Sequence, residues 1–142
     1  MSVQTQRPDR PIPALNKENE SFWTCGAEGV LRILRCNDCG FYVHPPRPIC
    51  PECLSWSVAP GPVSGAATVE SFTINYRMWN PKVPPPYVIA RVELDEQPGL
   101  YLVTNIVGID PEAVDFGLRV TVTFEQVSES VFLPLFRPME ES

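Results

Sequence analysis

The sequence is poor in the groups that do proton chemistry and in the groups that hold nucleic acid. It has one histidine, His44, in 142 residues, and 11 lysines and arginines against 17 acidic residues, for a net charge of −6. General acid–base catalysis recruits histidine most often, and a nucleophile or base is usually oriented by a second group, so a single histidine leaves few catalytic constellations open. Phosphate contacts need concentrated Lys and Arg, so a chain this acidic is a poor general nucleic-acid binder. Long apolar runs are also missing. Nothing approaches the roughly 18–20 residues of a membrane span, and the N-terminal MSVQTQRPDRPIP lacks the apolar stretch of a signal peptide. A cytoplasmic location is expected.

Proline is plentiful. Its 17 residues are more than twice the usual share of about 5%, which excludes a helical bundle and favours short strands joined by rigid loops. Hydrophobic residues at 44% and charged residues at 20% are ordinary globular usage. The length suits one domain, or one domain with a small appendage.

Five cysteines in a chain expected in the cytoplasm do not suggest a disulfide framework. Four of them form two Cys-x-x-Cys knuckles, Cys36-Asn-Asp-Cys39 and Cys50-Pro-Glu-Cys53, and Cys25 stands apart. Two such turns let four thiolates converge on one tetrahedral ion, with sulfurs about 2.3 Å from Zn²⁺. Gly40 follows the first knuckle, where a positive φ frees backbone amides to point at sulfur. Structural zinc is favoured over redox-active iron, because the ten residues between the knuckles are too few for the aromatic-rich shield of rubredoxin. Four protein ligands leave no position for water, so the ion is expected to be a staple and not a catalyst.

Residues 1–12 read as a flexible or docking arm, 13–59 as an N-terminal helix and zinc ribbon, 60–138 as an OB-fold domain and 139–142 as an acidic tail. A helix is expected from Pro13 to Cys25, with Leu15, Phe22 and Trp23 near one face and Gly26 just past its end. Val30–Arg35 reads as a strand, and Pro60-Gly61-Pro62 as a hinge. Further strands are expected over 68–76, 87–94, 100–107, 120–125 and 131–136. The third, mostly apolar, reads as covered on both faces. Asp110 and Pro111 start a short helix that Gly117 ends. Five strands with a helix between the third and fourth follow the order of an OB barrel, and the fold class is mainly β.

Together these residues resemble a known family. Phe22-Trp23, Arg35-Cys36-x-x-Cys39-Gly40, Pro45-Pro46-Arg47 and Cys50-Pro51-x-Cys53 are similar to the N-terminal half of the bacterial and archaeal acyl-CoA-associated OB-fold proteins, in which a rubredoxin-like zinc ribbon precedes an OB domain. Ser71-Phe72-Thr73, Pro86-Tyr87-Val88, Val92-x-Leu94-Asp95, Asn105-x-Val107-Gly108, Asp110-Pro111-Glu112, Gly117 and Phe124-Glu125 resemble its second half, so the likeness covers roughly residues 14–137. The resemblance implies a non-catalytic accessory subunit of a thiolase-superfamily enzyme, either a steroid side-chain aldolase-like enzyme or a thiolase. It also implies docking as a heterotetramer around the partner dimer, where the subunit helps form the channel for a CoA thioester. A chain that starts at its own methionine is expected to be free-standing and not fused to a hydratase.

The best candidate for a contact surface is the loop from Tyr76 to Tyr87, which carries Tyr76, Arg77, Trp79, Lys82 and Tyr87. OB folds use this loop for ligands, and aromatic, Met and Arg side chains concentrate in interfaces. The alternative is that Trp79 and Tyr87 cap the barrel end. His44, before Pro45, reads as an ordinary loop histidine, and Cys25, at a helix C-terminus, as a packing residue with a raised thiol pKa. Arg32, Arg35 and Arg47 are expected to neutralise the −2 charge of a four-thiolate zinc site. Two other functions remain open: a single-stranded nucleic-acid module, which needs a basic groove with stacking aromatics, and a rubredoxin-like electron carrier.

Overall fold

Alternation of apolar and polar side chains builds most of the chain. A computed structural model describes residues 3–4, 10–81 and 83–139. In chain order its first elements are β1 (Val3–Gln4), α1 (Glu20–Thr24), a 3-10 turn (Cys25–Glu28), β2 (Arg32–Cys36), β3 (Tyr42–Val43) and β4 (Val58–Pro62). Then come β5 (Ala66–Asn75), β6 (Tyr87–Leu94), β7 (Tyr101–Ile106), a second 3-10 turn (Pro111–Ala113), β8 (Arg119–Gln126) and β9 (Phe132–Pro138).

Strands β5 to β9 form the expected OB barrel. β5 pairs antiparallel with β6 and β8, β6 with β7 and β8 with β9, and the barrel closes through the parallel pair Ile106↔Phe136. A register shift between Val69 and Ser71 bends β5 so that it can serve two neighbours. β6 spans the expected residues, and Val88, Ala90, Val92 and Leu94 all point inward at 1% exposure or less. β7 departs from expectation. Leu102, Thr104 and Ile106 are inside, but Val103 is 74% exposed, because a barrel wall has one covered face. The expected helix after β7 shrinks to one 3-10 turn. The Glu112 amide donates to Asp110 Oδ1 at 3.0 Å as anticipated, but Val114 turns extended and buries its side chain in the core.

The ribbon is a three-stranded antiparallel sheet in the order β3-β2-β4. Pro60-Gly61-Pro62 is not a hinge: it lies in β4, opposite Leu34, Ile33 and Arg32. The Val63 amide then donates to the Leu31 carbonyl at 2.9 Å. Leu31, Ile33, Tyr42 and Val63 belong to the same apolar cluster as the barrel interior, and Gln97 exchanges hydrogen bonds with the backbone of Tyr42 at 2.8 and 3.1 Å. Ribbon and barrel therefore share one core.

The N-terminal helix is shorter than 13–25. The Asn16 amide donates to Asn19 Oδ1 and the Asn19 amide to Asn16 Oδ1, both at 2.8 Å, a local arrangement that competes with helix. Leu15 is consequently exposed, while Phe22 is buried. Gly26 does not terminate the helix. It sits inside the 3-10 turn, pressed so closely on the barrel that a Cβ there would lie 2.3 Å from Phe132 Cβ, and Gly29, at φ +71°, ends the turn. Of residues 1–12, Val3–Gln4 pair in parallel with β8, and Arg10 reaches Glu125 at 2.6 Å and Asn105 at 2.9 Å. Glu140 and Glu141 of the acidic tail lie outside the described residues. Among those described, no helix is long and apolar enough to cross a membrane.

Candidate metal centre and exposed surfaces

Each Cys-x-x-Cys turn folds back on its first cysteine. The Gly40 amide donates to the Cys36 carbonyl, and the Leu54 amide to the Cys50 carbonyl, both at 2.9 Å. These paired turns bring Cys36, Cys39, Cys50 and Cys53 together, with all four sulfurs within 4.8 Å of one another. Cys36 and Cys53 Sγ are 3.5 Å apart, and Cys39 and Cys50 Sγ 3.6 Å, close to the roughly 3.8 Å edge of a tetrahedron with 2.3 Å zinc–sulfur bonds. The Cys39 amide points at Cys36 Sγ and holds its thiol down to about 6. The Ser55 amide favours the Cys53 thiolate, yet the surrounding sulfurs push that thiol up to about 12. Four thiolates this close repel one another unless a cation shares their charge, so the donor set fits a structural Zn²⁺.

The arginines divide. Arg35 donates from Nε to the Gly40 carbonyl at 2.9 Å and stacks over Tyr42, which places its charge beside the first knuckle. Arg32 instead lies 3.7 Å from Glu28. Arg47 lines an open groove of about 690 Å³ between α1 and the ribbon, together with Lys17, Glu20 and Trp56. His44 packs on Phe22 with ring centroids 4.9 Å apart, and burial holds its pKa down to about 4, so it is neutral at physiological pH. Cys25 is buried, its Sγ lies 3.2 Å from the Phe22 carbonyl, and burial raises its thiol.

In the loop between β5 and β6, Tyr76 donates its hydroxyl to Glu112, and Trp79 Nε1 donates to Asn75 Oδ1 at 2.9 Å. Arg77 lies over the Trp79 ring at 4.4 Å. Tyr76, Met78 and Trp79 remain exposed. Tyr87 lies apart from them, half-buried in a groove of about 320 Å³ with Asn80, Val83 and Ile89. Lys82 lies outside the described residues. Two exposed side chains escaped the sequence reading: Leu54, at φ +62°, and Trp56, each 72% exposed. The available signal was internal, since Leu54 occupies in the second knuckle the position that Gly40 occupies in the first.

Comparison with known proteins places both halves. Residues 23–57 match the family described as "ChsH2, rubredoxin-like zinc ribbon domain", and residues 61–125 match "ChsH2, C-terminal OB-fold domain". A "Probable enoyl-CoA hydratase alpha subunit" of Thermomonospora curvata is 36% identical over 91% of this chain, and a "3-oxo-4,17-pregnadiene-20-carboxyl-CoA hydratase alpha subunit" of Mycobacterium tuberculosis is 35% identical over 79%. The chain spans only 40% and 35% of those two proteins. A solved structure described as "Ltp2-ChsH2(DUF35) aldolase" superposes with a TM-score of 0.78 at 38% identity, covering 89% of this chain and 98% of the other. With both domains matched and that polypeptide covered almost end to end, the chain belongs to the ChsH2/DUF35 family of zinc-ribbon and OB-fold proteins.

Proposed function

We propose that this protein is a non-catalytic accessory subunit that binds a thiolase-like enzyme acting on acyl-CoA, with a steroid side-chain aldolase preferred over a thiolase. The observation that carries the reading is the end-to-end match to the ChsH2 chain of an aldolase complex. The CoA-hydratase relatives point to the same class of thioester substrate. The chain's own chemistry is compatible, because the one histidine is partly buried and neutral against Phe22 and the Cys25 thiol is buried with a raised pKa. Bond making would fall to the partner, and this chain would position and shield. In that reading the complex is a heterotetramer built around the partner dimer in the cytoplasm, and Tyr76, Arg77, Trp79, Lys82 and Tyr87 contribute contacts to the partner or to CoA.

The nucleic-acid alternative has less support. The outward faces of β6 and β7, a common OB binding surface, carry one cation, Arg91, and Glu70 neutralises it at 2.6 Å. Purification of the chain from native extract, followed by identification of co-eluting polypeptides, tests the proposal. A stoichiometric thiolase-like subunit whose acyl-CoA activity falls when the chain is removed is the expected result. Elution alone, with no CoA-handling partner, would refute it.

A further inference from the structure

The two knuckles have the same backbone and different residues at their turning point. In each, the residue after the second cysteine donates its amide to the carbonyl of the first at 2.9 Å. That geometry places Gly40 at φ +81° and Leu54 at φ +62°. Glycine adopts this conformation freely, whereas a leucine is strained there. Among described residues Leu54 is the only non-glycine residue with positive φ. The ribbon gains no packing in exchange, because the side chain is 72% exposed, as is Trp56 two residues on. Both sit on a loop that the sulfur cluster at one end and hydrogen bonds at the other hold still. Ser55 donates to Asp38, and the Asn37 amide donates to the Ser57 carbonyl at 2.8 Å.

From this we infer that Leu54 and Trp56 form a pre-organised apolar knob that inserts into an apolar pocket of the thiolase-like partner subunit. The inference rests on the function proposed above and names the part of the ribbon that docks. A rigid aromatic and aliphatic pair is the kind of anchor that dominates interface energetics, and zinc removes the ordering entropy such a loop would otherwise lose on binding. Self-association fits poorly. Two side chains expose on the order of 300 Å², well short of the roughly 800 Å² that each partner of a stable dimer buries. An apolar pocket on the thiolase-like subunit is its complement.

The test titrates the purified thiolase-like subunit, recovered as above, with wild-type chain, Leu54→Gly and Trp56→Ser, while zinc content and thermal midpoint are followed. Leu54→Gly should keep one zinc per chain and a midpoint no lower than wild type, yet bind at least tenfold more weakly, and Trp56→Ser should weaken binding by a similar factor. A structural role for Leu54 would move the midpoint and leave binding alone. Leu54→Gly binding within twofold of wild type would overturn the inference while leaving the accessory-subunit reading intact. So would loss of self-association with partner binding retained. Failure of the wild-type chain to bind any thiolase-like subunit would remove the parent proposal and the knob with it. If Trp56→Ser does not fold, Leu54→Gly still decides, since that substitution relieves strain.

Discussion

Strand β6 places four side chains inside the barrel at 1% exposure or less, whereas β3 of the ribbon is two residues long and starts just after the first metal-binding turn. The barrel closes on itself: five strands, one bulge and the Ile106↔Phe136 pair leave an interior filled by Val, Leu and Phe. The ribbon has three short strands, and its far end has four sulfurs where a core would be. Apolar burial holds one region and coordination chemistry the other. They meet in a single cluster through Leu31, Ile33, Tyr42 and Gly26, so damage in either should reach the other, but unequally.

Removing the metal should separate the two most sharply. A structural zinc site contributes on the order of 10 kcal/mol of folding free energy, nearly all of it to residues 32–62. Chelation, or Cys36→Ser, should abolish amide-exchange protection in β2–β4 while β5–β9 stay protected. Ribbon amides that remain equally protected without zinc would show that the shared core suffices. The converse perturbation is Phe136→Ala at a position with 0% exposure, where truncation costs about 3–5 kcal/mol. Thermal unfolding should move well down while the folded chain still holds one zinc.

A third prediction addresses the seam between helix and ribbon. Burial depresses His44 from 6.5 to about 4, so the fold favours the neutral imidazole. The unfolded chain then binds the extra proton between those values, and stability is fully present above pH 6.5 and lost as pH falls toward 4. The loss should reach up to about 3 kcal/mol. Acid also protonates zinc thiolates, so the measurement is the difference in denaturation midpoint between wild type and His44→Gln from pH 7 to 4.5. Parallel curves would mean that His44 titrates normally in the fold.

Much of this was legible because local chemistry and tertiary structure agreed. The knuckle spacing specified the sulfur cluster, and strict alternation over 87–94 specified β6 to the residue. Most of the misses share one cause, contacts between residues distant in sequence. Nothing local distinguishes Gly26 as a close-approach glycine from Gly26 as a helix stop, since the distinction lies in Phe132. Pro60-Gly61-Pro62 has turn composition, yet pairing with β2 makes it a strand. An apolar run at 101–106 cannot report that Val103 faces away from the core. The Asn16–Asn19 exchange is local, but Pro13 at a first-turn position and Leu15, Phe22 and Trp23 near one face point to helix.

The smallest expected effects compare the knuckles with each other. At Gly40 an alanine would need φ near +81° and would place Cβ 3.3 Å from Arg35 Nη2. Left-handed strain of about 1–2 kcal/mol outweighs the roughly 0.4–1 kcal/mol gained by restricting the unfolded chain. Gly40→Ala should therefore lose up to about 1.5 kcal/mol. At Leu54 the same terms act with reversed sign, and Leu54→Gly should be neutral or more stable by a similar amount. Paired denaturant titrations of the zinc-loaded proteins resolve differences of this size. Opposite signs would establish that the two turns demand one backbone, and that the ribbon carries its leucine against its own stability. If both substitutions destabilise, Leu54 has a packing role inside the ribbon, and its exposure does not mark an interface.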